Sequence, residues 1–514
     1  MPENLPQLPT GLQTITLAAP GFWGLNTQDS PLELDSRFAS EATNCVIDRK
    51  GRIAARKGTE LVSTNGASVL GSSDGITFVE EFIAEDGTKT LFSAGNNLVF
   101  TGTTTLVDAT PVAATVTADN WQGATLSNKY YLFQSGHEPL VYTAGGSLTR
   151  VQDDGAYTGT VPQGNTVLAA FGRLFVANDT AEKSTITWSD LLNGVAWSGG
   201  SSGSIDLRKH WPSGYDEIEG LAAHNNFLVI FGKKNILIFA GADSPATMQL
   251  QDTIANIGCV ARDTIQSDGK DIYYLSTSGL RTLGRTIQEK SSPIGDASKN
   301  VNDELKSVAR TETGLIRGHY NPNEGFYIVS FQDNFISYVF DTRYPLEDGS
   351  LRATTWDTLK PLSFTRTDAN QLYIGTSGGI ELYSGYLDRA ATTYDMTWTT
   401  HPLSFGVPGN LKFMKGANVV IDGGSGYKLI MRWAWDYSSQ FTTANITLPE
   451  NNIAEYGEGE YGIAEYSISA ALFSEATPAN GSGIVLTSGL VTTINDKPFS
   501  IQQYAVKATI GRVA

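Results

Sequence analysis

The chain has 514 residues and carries 36 basic against 53 acidic side chains, a formal charge of −17. That length exceeds what one ordinary core serves, so two or more domains or one large repeat fold are expected. The acidic balance repels phosphate and argues against an ordinary DNA-binding role, while allowing DNA that passes without sticking.

Gly is abundant (53) and Met scarce (5), with many Tyr and Phe, a composition that favours strands and tight turns over helices. No apolar run approaches the ~20 residues of a membrane span. The opening MPENLPQLPT has neither the basic start nor the apolar block of a secretory signal. A soluble protein made in a cytoplasm is expected.

Residues 1–19 are Pro-rich and polar and read as an extended arm. Residues 20–62 follow as a distinct segment. Phe22 and Trp23 lie between Gly21 and Gly24, and a polar loop ends at Pro31. Asp35 or Ser36 can cap a short helix over 36–44, because a side-chain oxygen there satisfies a free N–H of the first turn. A hairpin is expected next, CVID at 45–48 and RIAAR at 52–56 around Arg49-Lys50-Gly51. Five cations fall within nine residues there: Arg49, Lys50, Arg52, Arg56 and Lys57. In an acidic chain this local reversal suggests a surface in use.

From residue 75 one pattern recurs, two apolar strands joined by a turn of Gly, Asn, Ser or Lys. The copies are LFSA/LVF from 91, YYLF/LVY from 130, LFVA/TITW from 174, FLVIF/ILIF from 227, IYYL/LRTL from 272, FYIV/FISYVF from 326 and LYIG/IELY from 372. They start about 40 to 55 residues apart, the period of a propeller blade. A hairpin cannot bury both faces alone, and stacking such units around an axis does so. The expected fold is therefore all-β, a β-propeller of about six to seven loosely repeated blades over 63–389. Segments such as 113–116 and 263–266 would supply further strands. Stacked β-sandwiches are the alternative. One amphipathic helix, ASKNVNDELKSVA at 297–309, interrupts the repeats. The rhythm changes after Tyr383, and 390–514 reads as a C-terminal β-domain. It carries an acidic, Tyr-rich loop at 453–466 with Glu455, Tyr456, Glu458, Glu460, Tyr461, Glu465 and Tyr466.

No catalytic, cofactor or metal site is expected. There is no G-x-S-x-G elbow, and the five histidines lack ligand spacing. Ser-Asp-Gly at 73–75 and 267–269 is explained by turn chemistry. The glutamates of 453–466 could meet calcium, but their glycines give no fixed geometry, so the loop reads as an interaction tip or gate built on Tyr. Cys45 and Cys259 read as two buried, reduced thiols.

The order of these features resembles the tail nozzle (tail tubular protein B type) of short-tailed bacteriophages. The resemblance rests on Gly21, Gly24, Pro31, Asn44, Gly51, Arg56 and Gly58, then on FGRLFVA from 171, TWSD from 187, LVIFGKKNI from 228 and SGL from 278. It covers most of residues 15–440. It implies a non-enzymatic virion protein, a hexameric ring built on a propeller below a head-to-tail adaptor. Such a ring carries tail fibres or spikes and encloses a channel for transient, non-specific passage of DNA. On this reading 20–62 docks the subunit, with Phe22 and Trp23 as apolar anchors and Arg49, Lys50, Arg52, Arg56 and Lys57 meeting carboxylates of an adaptor or neighbouring protomer. A receptor- or glycan-binding propeller of a phage tail, glycan-cleaving in one version, is the alternative.

Overall fold

A computed structural model describes residues 11–513 apart from 31–33, 72–74, 118–119, 290–295 and 451–471. The loop residues Glu455, Tyr456, Glu458, Glu460, Tyr461, Glu465 and Tyr466 lie outside the described residues.

The seven apolar hairpins are the second and third strands of seven successive blades of a β-propeller. Five blades are separate four-stranded sheets, blade 5 has three strands, and blade 6 is the first four strands of a ten-stranded sheet. The hairpins read as unbroken apolar runs because each blade is packed on both faces. In blade 2, Tyr130 and Leu132 enter the core shared with blade 1, while Tyr131 and Phe133 enter the core shared with blade 3. Successive side chains of a strand point to opposite faces, so a sheet buried on both sides needs apolar residues at every position. The tight turns are equally legible. Asn96-Asn97, Ser127-Asn128 and Asn225-Asn226 all have positive φ at both residues, the backbone that matches strand twist in two-residue hairpins.

The expected strand at 113–116 is absent, and 263–266 is a 3-10 turn, Arg262–Thr264, leading into the two-residue strand Gln266–Ser267. The amphipathic segment is a 3-10 turn, Lys299–Val301, followed by the helix Asn302–Thr311. Leu305 and Val301 anchor it in the core.

Blade 7 is completed from the other end of the chain. Its fourth strand is Thr59–Leu61, antiparallel to Gly379–Tyr383. The propeller therefore begins before residue 63, and its ring is held shut by a segment that precedes all the other blades.

The remaining strands form a two-sheet sandwich drawn from both chain ends. One sheet joins Leu12–Ala18, Cys45–Ile47 and Ile53–Ala55 to the long strands Asn410–Gly423 and Phe499–Val513. The other places Phe38–Thr43 beside Tyr394–Thr400, followed by Leu486–Ile494, Lys428–Trp435 and Thr442–Thr447. Residues 20–62 are thus no separate segment, and the C-terminal β-domain is incomplete without them. The expected helix at 36–44 is the strand Phe38–Thr43. Its Phe38, Ala39 and Ala42 are buried, and burial inside a sheet overrides the local capping signal. This strand also touches blade 6 through a single bridge, Thr43 to Thr355, so sandwich and propeller share one sheet. Their core is continuous as well. Met396, Trp398 and Tyr504 of the sandwich belong to the same buried cluster as Tyr327 and Phe340 of blade 6.

Gly58 sits at the crossing between the modules, where a Cβ would lie 1.8 Å from the Leu387 carbonyl oxygen. Backbone cannot retreat as a flexible side chain can. Gly58→Ala is expected to destabilise the fold by about 2 kcal/mol or more, while Gly155→Ala, with nothing within 4 Å, stays within about 0.5 kcal/mol. Thermal and denaturant unfolding of both variants checks this.

Candidate functional site

Two places concentrate charge: the junction between propeller and sandwich, and the propeller axis.

The junction contains the whole basic hairpin. Cys45–Ile47 and Ile53–Ala55 form the expected pair of strands, and the turn between them projects toward blade 6. Each of the tighter cations meets a carboxylate of its own chain. Arg52 pairs with Asp48 at 2.7 Å and also with Asp422 of the sandwich. Lys57 reaches Glu324 of blade 6 at 2.8 Å. Arg56 is completely buried and grips Asp388 with two parallel bonds of 2.8 and 2.6 Å. The same guanidinium donates to Thr358 Oγ1 at 2.5 Å and to the Lys57 carbonyl at 2.7 Å, and lies 4.0 Å from the ring centre of Tyr394. The Tyr394 hydroxyl returns a bond to the Arg56 carbonyl. Burial opposes the charge on Arg56 most strongly, but the bond to Asp388, its charge and the nearby Tyr394 and Tyr383 together outweigh it and leave the guanidinium more basic than usual.

Three of the five cations of the hairpin, Arg52, Arg56 and Lys57, thus face four carboxylates, Asp48, Asp422, Asp388 and Glu324. The positive island of the sequence is largely cancelled in space. Arg52, Arg56 and Lys57 serve the chain's own architecture, and Arg56, expected to meet another subunit, is instead fully enclosed in its own. Arg49 and Lys50 stay exposed, and Arg49 donates to the Asn323 carbonyl at 2.5 Å. Phe22 is likewise no docking anchor. It is fully buried, edge-on to Trp398 at 5.5 Å. Trp23 is half-buried, edge-on to Phe38 and covered by the Arg37 guanidinium 3.5 Å from its ring centre. A cavity of ≈ 290 Å³ remains between the hairpin, blade 6 and the sandwich, lined by Arg49, Arg52, Glu324, Arg343 and Tyr386 among others.

The axis was not singled out by sequence. Arg262 and Arg317, both buried, cross it at the start of the inner strands. Arg262 donates to the carbonyls of Asn165 in blade 3 and Trp121 in blade 2. Arg317 donates to the carbonyls of Leu362 in blade 7 (3.0 Å) and Thr77 beside blade 1 (2.9 Å). Asp263 lies between them and pairs with both. Burial raises the cost of its charge, yet the two guanidiniums hold its carboxyl below the usual range. Six blades are thereby tied together across the centre, and the axis is plugged at that end. The available signal was two arginines and an aspartate where neighbouring copies carry apolar or small residues.

Beyond the plug lies a polar cup of ≈ 390 Å³ bounded by Glu80, Gln122, Gln266, His319 and Arg366. Glu80 accepts from the Tyr130 hydroxyl at 2.7 Å, and burial pushes its carboxyl up. His319 stacks on Phe364 with ring centres 5.6 Å apart, and burial, with Arg366 nearby, pulls its imidazole down to about 4.

Cys45 and Cys259 are buried free thiols, as expected, and burial pushes the Cys259 thiol up to about 12. Among the described residues no group of His, Cys, Asp or Glu is placed to hold a metal ion, and no helix is long and apolar enough to cross a membrane.

Arg56→Met leaves the half-buried Asp388 without its partner and is expected to cost about 3 kcal/mol. Adding Asp388→Leu should recover part of that loss, whereas Lys57→Ala should cost about 1 kcal/mol or less. Denaturant unfolding of these variants, of Asp388→Leu alone and of the parent chain measures the coupling. His319 gives a pH test. Its folded pKa of about 4 lies below the ordinary 6.5, so between these values the unfolded chain binds the proton that the folded chain refuses. This contribution to stability is full above 6.5 and lost as pH falls toward 4. His319→Phe should flatten that slope by up to one proton.

No family model and no curated protein matches the chain. Solved structures similar to it include the extracellular domain of a hybrid two component system from B. thetaiotaomicron, with 11% identity and a TM-score of 0.42 over 64% of this chain and 39% of that one. Others are YCF48 bound to D1 peptide (10% identity, TM-score 0.36, 61% of this chain, 93% of that one) and the C-terminal WD40 domain of Sif2 (11%, 0.36, 60% and 81%). This chain spans about two fifths of the length of the first. The strand pairing itself, with seven inner strands closed into a ring, establishes that this chain is a β-propeller joined to a β-sandwich.

Proposed function

We propose that the chain is a non-enzymatic ring subunit of the tail-nozzle type found in short-tailed bacteriophages. The observation that carries this reading is where the residues of the resemblance fall. Pro31 lies outside the described residues. Gly24 has φ +77°, and a Cβ there would lie 2.4 Å from the Ala353 carbonyl oxygen of blade 6. Asn44 has φ +54°, and its amide donates to Asp357 at 2.7 Å and to the Asp395 carbonyl at 2.9 Å, bridging propeller and sandwich. Arg56 and Gly58 form the crossing described above. These positions serve the joint between the two modules. A motif built of such residues marks a shared scaffold, whereas a motif for chemistry would gather side chains around a reactive centre.

The charge supports the same reading. A conduit for DNA should repel phosphate so that the duplex slides, and this chain carries −17. With the propeller axis plugged by Arg262 and Arg317, the conduit in this proposal runs between copies of the chain around a common axis. An adaptor above and fibres or spikes at the side are the partners it implies, and the virion is its place of work.

Native mass spectrometry and negative-stain images of the full chain test the proposal. The expected result is a closed ring near six times the 55.2 kDa protomer, formed alone or on addition of a head-to-tail adaptor ring. A chain that stays monomeric and ignores the adaptor overturns it.

A further inference from the structure

We propose that the axial cup binds one carboxylated sugar ring, either free or as the exposed end of a glycan. The inference is independent of the ring assembly proposed above.

The cup is closed at its base by the Arg262–Asp263–Arg317 plug and has exposed residues, Ser267 and Arg366, at its rim. Its ≈ 390 Å³ lies at the small end of the range that holds small-molecule ligands. The hydrogen-bonding capacity left over is specific. Gln122 has its Oε1 occupied by the Val167 N–H, which leaves its amide to donate. Gln266 has its amide occupied by the Asp263 carbonyl, which leaves its Oε1 to accept. Glu80 is held through one oxygen by Tyr130. His319 stands in the same lining, stacked on Phe364.

This alternation of donors and acceptors around a small cup suits a polyol, whose hydroxyls both donate and accept. Phe78, Trp121 and Phe364 supply the apolar part of the lining that a sugar ring also needs. The charge balance then selects within the polyols. Asp263 is matched by Arg262 and Arg317. Arg366 has only the Asn370 side-chain oxygen, at 3.1 Å from its Nε, and makes no ion pair among the described residues. One unmatched guanidinium at the rim fits one carboxylate. A phosphate dianion fits worse, because Glu80 and Asp263 line the same cup.

The test is titration of the full chain with D-glucuronate and with its methyl β-glycoside, followed by saturation-transfer NMR and calorimetry. Glucose and acetate serve as the neutral ring and the bare carboxylate. Millimolar binding of glucuronate, at least about tenfold tighter than either comparator, is expected, since a charge-assisted pair is worth about that factor. Arg366→Ala, at an exposed position that leaves the fold intact, should lose about the same tenfold. Binding of the glycoside as well as the free acid identifies a glycan end as the source, and binding of the free acid alone identifies a free sugar acid. No saturable binding of glucuronate, equal binding of glucose, or unchanged binding by Arg366→Ala overturns the assignment.

Discussion

The pair of the buried Arg56 and the half-buried Asp388 holds the point on which the rest of the molecule depends. At that point the chain leaves the sandwich, at Ile53–Ala55, and enters the propeller, at Thr59–Leu61. Asp388 follows the last blade, so the pair also joins the segment that enters the ring to the segment that leaves it. Both crossings are needed. Without the first, blade 7 has no outer strand, and without the second, the sandwich loses the strands from 394 onward. A buried ion pair gives little net stability against a well-packed apolar substitute, because desolvation offsets the attraction. What it supplies here is geometry. A planar guanidinium bound on two edges by a carboxylate and covered by Tyr394 fixes the direction in which two modules meet.

The joint explains why the cations cluster. A crossing between two packed modules leaves backbone and polar groups enclosed by protein on several sides. Arg52 and Lys57 reach out from the same hairpin to the sandwich and to blade 6 respectively, and the carboxylates they meet lie about 370 and 267 residues further along the chain. The surrounding aromatic groups, Trp356 stacked on Tyr383 and Phe22 set against Trp398, close the joint to water. Burial makes Arg56 the charge most costly to leave unpaired, whereas the half-exposed Lys57 costs little. The same logic recurs at the axis, where seven inner strands bring their carbonyls toward one line and Arg262 and Arg317 satisfy them.

The middle strands of every blade were legible in the sequence. Two-sided burial forces a continuous apolar run, and Asn or Gly at positive φ punctuates it. The inner strands were not, because they line the axis and carry mixed residues such as Arg317 and His319 or shrink to two residues, as at Gln266–Ser267. The outer strands are short and half-exposed, and one of them, Thr59–Leu61, is supplied from before the first blade. The strand Phe38–Thr43 was read as a helix because its alanines and its capping residues are locally ambiguous, and only its neighbours in the sheet decide. The cationic hairpin was visible as composition but not as function. Sequence shows five cations together, while the carboxylates that neutralise three of them come from residues 48, 324, 388 and 422. The axial groups lie on five different blades, and nothing in the linear order brings them together.

A scaffold of this kind should behave as one body despite its two architectures, since the first and last described strands both lie in the sandwich and the core runs on into blade 6 without a break. That unity is the central claim, and native-state hydrogen exchange measures it most directly. Amides of Thr59–Leu61 in the closing strand and of Phe499–Val513 in the sandwich should show the same opening free energy and respond together to added denaturant, as members of one cooperative unit. Loss of protection in the sandwich strands while the blades stay fully protected would contradict the account.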